Sequence, residues 1–173
     1  MFQVVKIKID SGFVGLCPMP GKFSSFHEDF SQLVSSGPKV VVTCATTAEM
    51  IDCSANSLPQ KLQNLEIKWF QLTVDDFQVP DKNNEEKWKY LLPTFKNTVL
   101  SGGGVIFDCL GGCGRSGMFS MRLLREMGWS AEHSLERLRS FRPCAIETED
   151  QMSWASKVDK QPIESNHVAN GEG

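Results

Sequence analysis

The stretch Val105 to Met118, VIFDCLGGCGRSGM, constrains this chain more than any other part of it. An apolar strand, Val105-Ile106-Phe107, runs into Gly111, Gly112 and Gly114, and apolar residues between Met118 and Leu124 then recur at helical spacing. Strand, tight loop and helix in that order make an anion site. The loop aims backbone N–H groups into one concavity, and the helix adds its unpaired N–H groups and the positive end of its dipole. Cys109 closes the strand and Arg115 follows six residues later, so a thiol and a guanidinium share one phosphate-sized cradle. Amides and a helix N-terminus favour the thiolate, the nucleophilic form of cysteine. Arginine grips two oxygens of a phosphoryl group at once, which lysine does not. The pairing suits attack on a phosphate monoester; the plainer reading is a strand-to-helix turn with a buried cysteine. A nucleotide-binding P-loop is excluded, because no glycine precedes Gly114 by five residues and arginine stands where that motif needs lysine.

Elsewhere the chain alternates strand and helix patterns. Strands are expected within Met1–Asp10, from Gly12, over Lys39–Cys44, over Leu65–Leu72 and at Val105–Phe107. Helices are expected over His27–Val34, from Thr46 or Thr47, over Asn83–Leu100 with a kink at Pro93, from Met118, from Ser130 to Phe141, and from Ala145 to about Val158. This order predicts an α/β fold: a single domain with a central, mostly parallel sheet, helices on both faces and ligands at the carboxyl ends of the strands. The domain is expected to span residues 1–158, with 159–173, polar and glycine-containing, as a disordered tail.

After the strand ending near Leu72, the segment Val74-Asp75-Asp76-Phe77-Gln78-Val79-Pro80 presents two carboxylates on a loop. Protonating a leaving oxygen needs one of them. Taken without Cys109 and Arg115, the pair reads as solvated turn aspartates.

The segment Cys109 to Gly117, CLGGCGRSG, matches and resembles the CxxGxGR[ST]G signature of the protein tyrosine and dual-specificity phosphatases. The resemblance implies Cys109 as nucleophile and Leu110, Gly111, Gly112, Cys113 and Gly114 as the substrate-binding loop. It implies Arg115 as the phosphate clamp and Ser116 as the hydrogen-bond partner of the leaving thiolate. The family's D-x-x-x-P pattern selects Asp76, by its spacing to Pro80, as general acid and then base, with Asp75 as runner-up. Two further segments resemble the cyclin-dependent kinase-associated phosphatase subgroup and its bacterial relatives: Cys17-Pro18-Met19-Pro20-Gly21-Lys22, and Phe141-Arg142-Pro143 through Ala145-Ile146-Glu147-Thr148 to Gln151. The likeness thus covers roughly Gly12 to Trp154, and it implies Lys22 as a substrate contact and Gln151 as a residue that positions the hydrolytic water. It also implies a phosphorylated protein, or another phosphate monoester, as substrate, a monomeric enzyme, and chemistry with no metal and no cofactor.

One position departs from the pattern. The family has histidine before the nucleophile, and here Asp108 stands. An ionised aspartate accepts hydrogen bonds but donates none, and its charge opposes a second negative charge beside it. A pseudophosphatase that binds phosphoproteins without turnover is therefore the alternative. A rhodanese-like sulfur carrier also uses a cysteine loop, but Gly114-Arg115-Ser116-Gly117 and the Asp76 to Pro80 spacing favour phosphatase.

Composition bounds the rest. A net charge of −3 argues against a chain that lives on nucleic acid or membrane phosphates. The N-terminus carries no apolar run long enough for a signal peptide, which leads to the expectation of a cytoplasmic protein. In that compartment the six cysteines are expected to be free thiols, and none forms a CxxC pair of the kind zinc sites use. Cys113 is a candidate to capture an oxidised Cys109, with Cys44 and Cys53 as rivals.

Overall fold

The structure, a computed structural model, describes residues 1–159. Its sheet contains β1 (Val5–Ile9), β2 (Gly12–Pro18), β3 (Val40–Thr43), β4 (Lys68–Gln71) and β5 (Gly104–Cys109), in the spatial order β1-β2-β5-β3-β4. β1 and β2 form an antiparallel hairpin; every other pairing is parallel. Seven helices accompany these strands among the described residues: α1 (Phe26–Ser35), α2 (Thr47–Asp52), α3 (Leu58–Gln63), α4 (Lys82–Leu100), α5 (Gly114–Glu126), α6 (Ala131–Phe141) and α7 (Glu149–Ser156). The expected α/β domain, a mostly parallel sheet with helices on both faces, is the fold observed.

The alternation of side chains along a strand divides the interior into two cores. Val105, Phe107 and Cys109 of β5 face one core, with Val40 and Val42 of β3 and residues of α4, α5 and α7. Ile106 of β5 and Val41 of β3 face the other, with Leu33 of α1, Met50 of α2, and Leu58 and Leu62 of α3. β5 is buried along its whole length, as a central parallel strand must be. β1 buries alternate residues and leaves Lys6 and Lys8 in water, as an edge strand with one wet face does.

An aromatic cluster fixes β5 to the helix that follows it. Phe107 stacks on Phe119 of α5 with centroids 5.8 Å apart, and Trp88 of α4 and Trp154 of α7 close around the pair. Aromatic contacts of this kind add roughly 0.5–1.5 kcal/mol each beyond burial. The loop between Cys109 and Gly114 is thus held between two rigidly packed elements.

Several boundaries differ from expectation. α3 lies in a stretch without clear periodicity and starts with Pro59 in its first turn, where a missing N–H costs nothing. β4 begins only at Lys68, because Glu66 takes a positive φ of 57° that interrupts the alternating run. α4 runs from Lys82 to Leu100 with Pro93 inside it. α5 starts at Gly114, four residues before its apolar periodicity does, so Arg115 lies in the first turn of the helix. α7 starts at Glu149 behind the Thr148 cap, because positive φ at Ile146 breaks the chain after Ala145. Asp159, placed by expectation in the tail, is tied by its N–H to Glu126 and by its carboxylate to Arg122. The rest of that tail, 160–173, lies outside the described residues.

The expectation of six free thiols is overturned. Cys113 and Cys144 form a disulfide across 31 residues, while Cys17, Cys44, Cys53 and Cys109 are free and buried. Cys113 is therefore committed to Cys144 rather than held for an oxidised Cys109. Two turns that sequence spacing does not relate, the loop before α5 and the loop after α6, meet here with Cα atoms 5.2 Å apart.

Candidate active site

The site lies where β5 hands the chain to α5. Cys109 is the last residue of the strand and is 2 % exposed; its S–H donates to Ser116 Oγ at 3.2 Å from the first turn of α5. The loop is braced from behind: Met19 N–H donates to Cys109 O at 2.8 Å, and Gly112, at φ 71°, backs onto Pro18 so closely that a Cβ would overlap it. A shallow cavity of about 150 Å³ opens in front, lined by Cys109, Leu110, Gly111, Cys113 and Gly114 with Lys22, Asp76 and Glu147. Seven of the residues read from sequence as nucleophile, loop, acid and contact meet in it, among them Leu110, whose side chain also packs against the α1–α3 core.

Arg115 is 1 % exposed and occupies a nest of acceptors. Nη1 donates to Glu49 Oε2 at 2.8 Å and to Val74 O at 3.0 Å, Nη2 donates to Glu49 Oε1 at 2.8 Å, and Asp76 Oδ1 lies 3.2 Å from Nη2. Burial opposes the guanidinium charge, but Glu49 together with the charges of Cys109 and Asp76 outweighs it and secures the protonated form. For Glu49 burial likewise works upward, yet the Arg115 bonds and the Thr46 N–H hold its carboxyl below the ordinary range. Glu49 is also half of a capping box with Thr46, so one side chain starts α2 and orients the arginine.

Asp76 and Asp75 part company. Asp76 reaches the cavity and Arg115; Asp75 does not line the cavity, and its carbonyl closes a turn with Gln78 N–H at 3.0 Å. Phe77, at a positive φ of 60°, turns the chain between them and Pro80 and donates its N–H to Asp76 Oδ1 at 3.2 Å. Lys22 is an exposed residue at the cavity's rim. Gln151 is fully buried beside the site, not lining it: Oε1 accepts from Glu147 N–H at 3.0 Å and Nε2 donates to Gln78 O at 3.2 Å. Its amide ties the α6–α7 loop and the Asp76 loop together.

Asp108 faces away from Cys109, as adjacent strand residues do, into the α1–α3 side of the sheet. Its Oδ2 accepts from Thr43 Oγ1 at 2.9 Å, and Thr43 in turn accepts from Trp69 Nε1 at 2.9 Å. Oδ1 is buried without a partner. Full burial pushes the carboxyl up to about 7, against the opposing Thr43 bond and Arg115 charge. The same burial, with the Asp108 charge adding to it, keeps Cys17 and Cys44 as thiols.

Two residues of the site went unassigned in the sequence. Glu49 had a usable signal, the Thr46-x-x-Glu49 capping pattern at a helix start, but nothing in it points to an arginine 66 residues away. Glu147 had none: its place in the cavity depends on the turn after α6.

No family model and no curated protein matches the chain by sequence. Solved structures do match. Kinase associated phosphatase, with its catalytic cysteine replaced by serine, is 24 % identical at a TM-score of 0.70, covering 83 % of each chain. Tk-PTP in a mutant form is 22 % identical at 0.68 over 87 % of this chain and 91 % of that one. PTPMT1 in complex with PI(5)P is 18 % identical at 0.61 over 87 % and 92 %. The chain therefore has the fold of the dual-specificity and protein tyrosine phosphatases, with a kinase-associated phosphatase among the structures it resembles.

Proposed function

We propose that this protein is a cysteine-dependent phosphatase acting on a phosphate monoester. The observation that carries the reading is Cys109, which lines a cavity at the start of α5 and is bonded to Ser116, with Asp76 lining the same cavity and paired to Arg115. In this reading Cys109 attacks phosphorus and the P–O bond to the leaving group breaks. The amides of the 110–115 loop and Arg115 carry the equatorial oxygens. Asp76 gives its proton to the leaving oxygen, then takes one from the water that cleaves the cysteinyl phosphate, while Ser116 donates to the departing thiolate. Lys22 meets the substrate at the rim. Gln151 acts indirectly, by holding Glu147 and the Asp76 loop in place.

The substrate we propose is a phosphorylated protein, processed by a monomer. No helix of the described residues is long and apolar enough to cross a membrane. Turnover of an aryl phosphate by wild type and by Cys109→Ser tests the reading. Wild type turns over, and the serine variant binds phosphate without turnover; equal activity in both retires the covalent route. The second reading, a phosphoprotein binder without turnover, is favoured by Asp108 in place of histidine and by the engagement of Arg115 Nη1 and Nη2 with Glu49, Val74 O and Asp76, which leaves only Nε without a partner. Absence of wild-type turnover with phosphate binding intact selects it.

A further inference from the structure

Glu147 stands in the cradle where a ligand's oxygens belong. Its carboxylate lies against Gly114, closely enough that a Cβ there would overlap it, and the Gly114 N–H stabilises its ionised form. It lines the same cavity as Cys109 and Asp76. The backbone beneath it is fixed by Gln151 Oε1 and by Ile146 N–H donating to Cys113 O at 3.3 Å, whereas the side chain itself is open to solvent.

We propose that Glu147 is a competing carboxylate: it occupies the oxyanion cradle, and a tetrahedral dianion enters by displacing it or after it is protonated. The proposal rests on the phosphatase reading above and adds a residue that sets how strongly the cradle takes its anion. A carboxylate beside a phosphate-type ligand repels it, and it also holds one of the loop amides the ligand needs. The side chain can leave, because it is exposed and no core packing holds it.

The charged groups facing it come from every element around the cavity: Asp76 from the loop after β4, Arg115 from α5 with Glu49 behind it, Cys109 from β5 and Lys22 from the loop after β2. Desolvation first, and the Asp76 charge second, hold the Glu147 carboxyl above its ordinary value, against the opposing Gly114 N–H and Arg115. Protonation thus empties the cradle at a milder acidity than an isolated glutamate would need.

Sulfate tests this, since it is tetrahedral and its charge is the same at pH 5 and pH 8. Binding is measured by calorimetry on the full chain of wild type, Glu147→Gln and Glu147→Ala. Both variants are expected to bind sulfate about tenfold tighter than wild type at pH 8, the size of one ordinary like-charge contact. At pH 5 the gap closes to within about threefold. Equal or weaker binding by the variants at pH 8, or a gap that does not change with pH, overturns the proposal. Aryl phosphate turnover by wild type separates the two readings: turnover without tighter sulfate binding retires the Glu147 proposal alone. No turnover, with no sulfate bound by any of the three proteins, retires both.

Discussion

Arg115 and Glu49, 66 residues apart in the chain, form a two-point ion pair with both N–O distances at 2.8 Å. The pair joins the first turn of α5 to α2, the helix that follows β3, and it fixes the direction of the guanidinium. Such a clamp is rigid because two parallel bonds fix a plane, and one does not.

Glu49→Gln should therefore loosen Arg115 and lower stability by about 1–3 kcal/mol, since a buried guanidinium loses its countercharge. The pH dependence has a definite sign. The folded Glu49 carboxyl is held low, so its contribution is present above the unfolded value and is lost as acid passes through the lowered one. Urea unfolding at pH 7 and in mild acid checks this; a wild-type advantage that persists unchanged in strong acid contradicts it.

Asp108 has the opposite sign. Its carboxyl is raised to about 7 by burial, so below the ordinary carboxylate range it is neutral in both states and costs nothing. As pH climbs toward 7 the unfolded chain ionises first, and stability falls by up to roughly 4 kcal/mol. Asp108→Asn keeps the acceptor for Thr43 and removes this loss. The variant should gain on wild type between pH 4 and pH 8 in denaturant titrations, and an unchanging difference across that range rules the effect out.

The Cys113–Cys144 disulfide fastens the cradle to the turn that carries Glu147. Closing a loop of 31 residues is worth about 3–4 kcal/mol in the chain-entropy picture. Cys144→Ser, or thiol reductant, should lower the melting temperature accordingly while leaving Cys109 in place. Identical melting curves with and without reductant would mean that the bridge contributes nothing to stability.

Asp76→Asn should slow hydrolysis of a phenyl or alkyl phosphate by about 10²–10⁴, the usual loss when a general acid is removed. An activated leaving group should suffer less, because it departs without a proton. Asp75→Asn should leave the rate near wild type, since that carboxylate does not line the cavity. The reverse pattern would transfer the role to Asp75.

What the sequence by itself determined was local. Strand, glycine turn and helix at 105–124 specify a cradle because their periodicities and φ requirements are properties of neighbouring residues. The spacing of Cys109 to Arg115, and of Asp76 to Pro80, belongs to the same class. A helix start at Thr46 or Thr47, another at Ser130 and the buried β3 run were legible for that reason. Tertiary structure decided what depends on contacts between distant segments. Asp108 lies on the far face of the sheet from the sulfur because strand pleating and Thr43 across the ladder take its side chain there. Glu49 finds Arg115 because the parallel sheet brings the carboxyl ends of β3 and β5 to one rim, and Cys144 and Glu147 reach Cys113 and Gly114 because the turn between α6 and α7 folds against the start of α5 there. A pattern along the chain carries no record of which side chain will stand opposite another across that rim, and there the charge balance of the site is set.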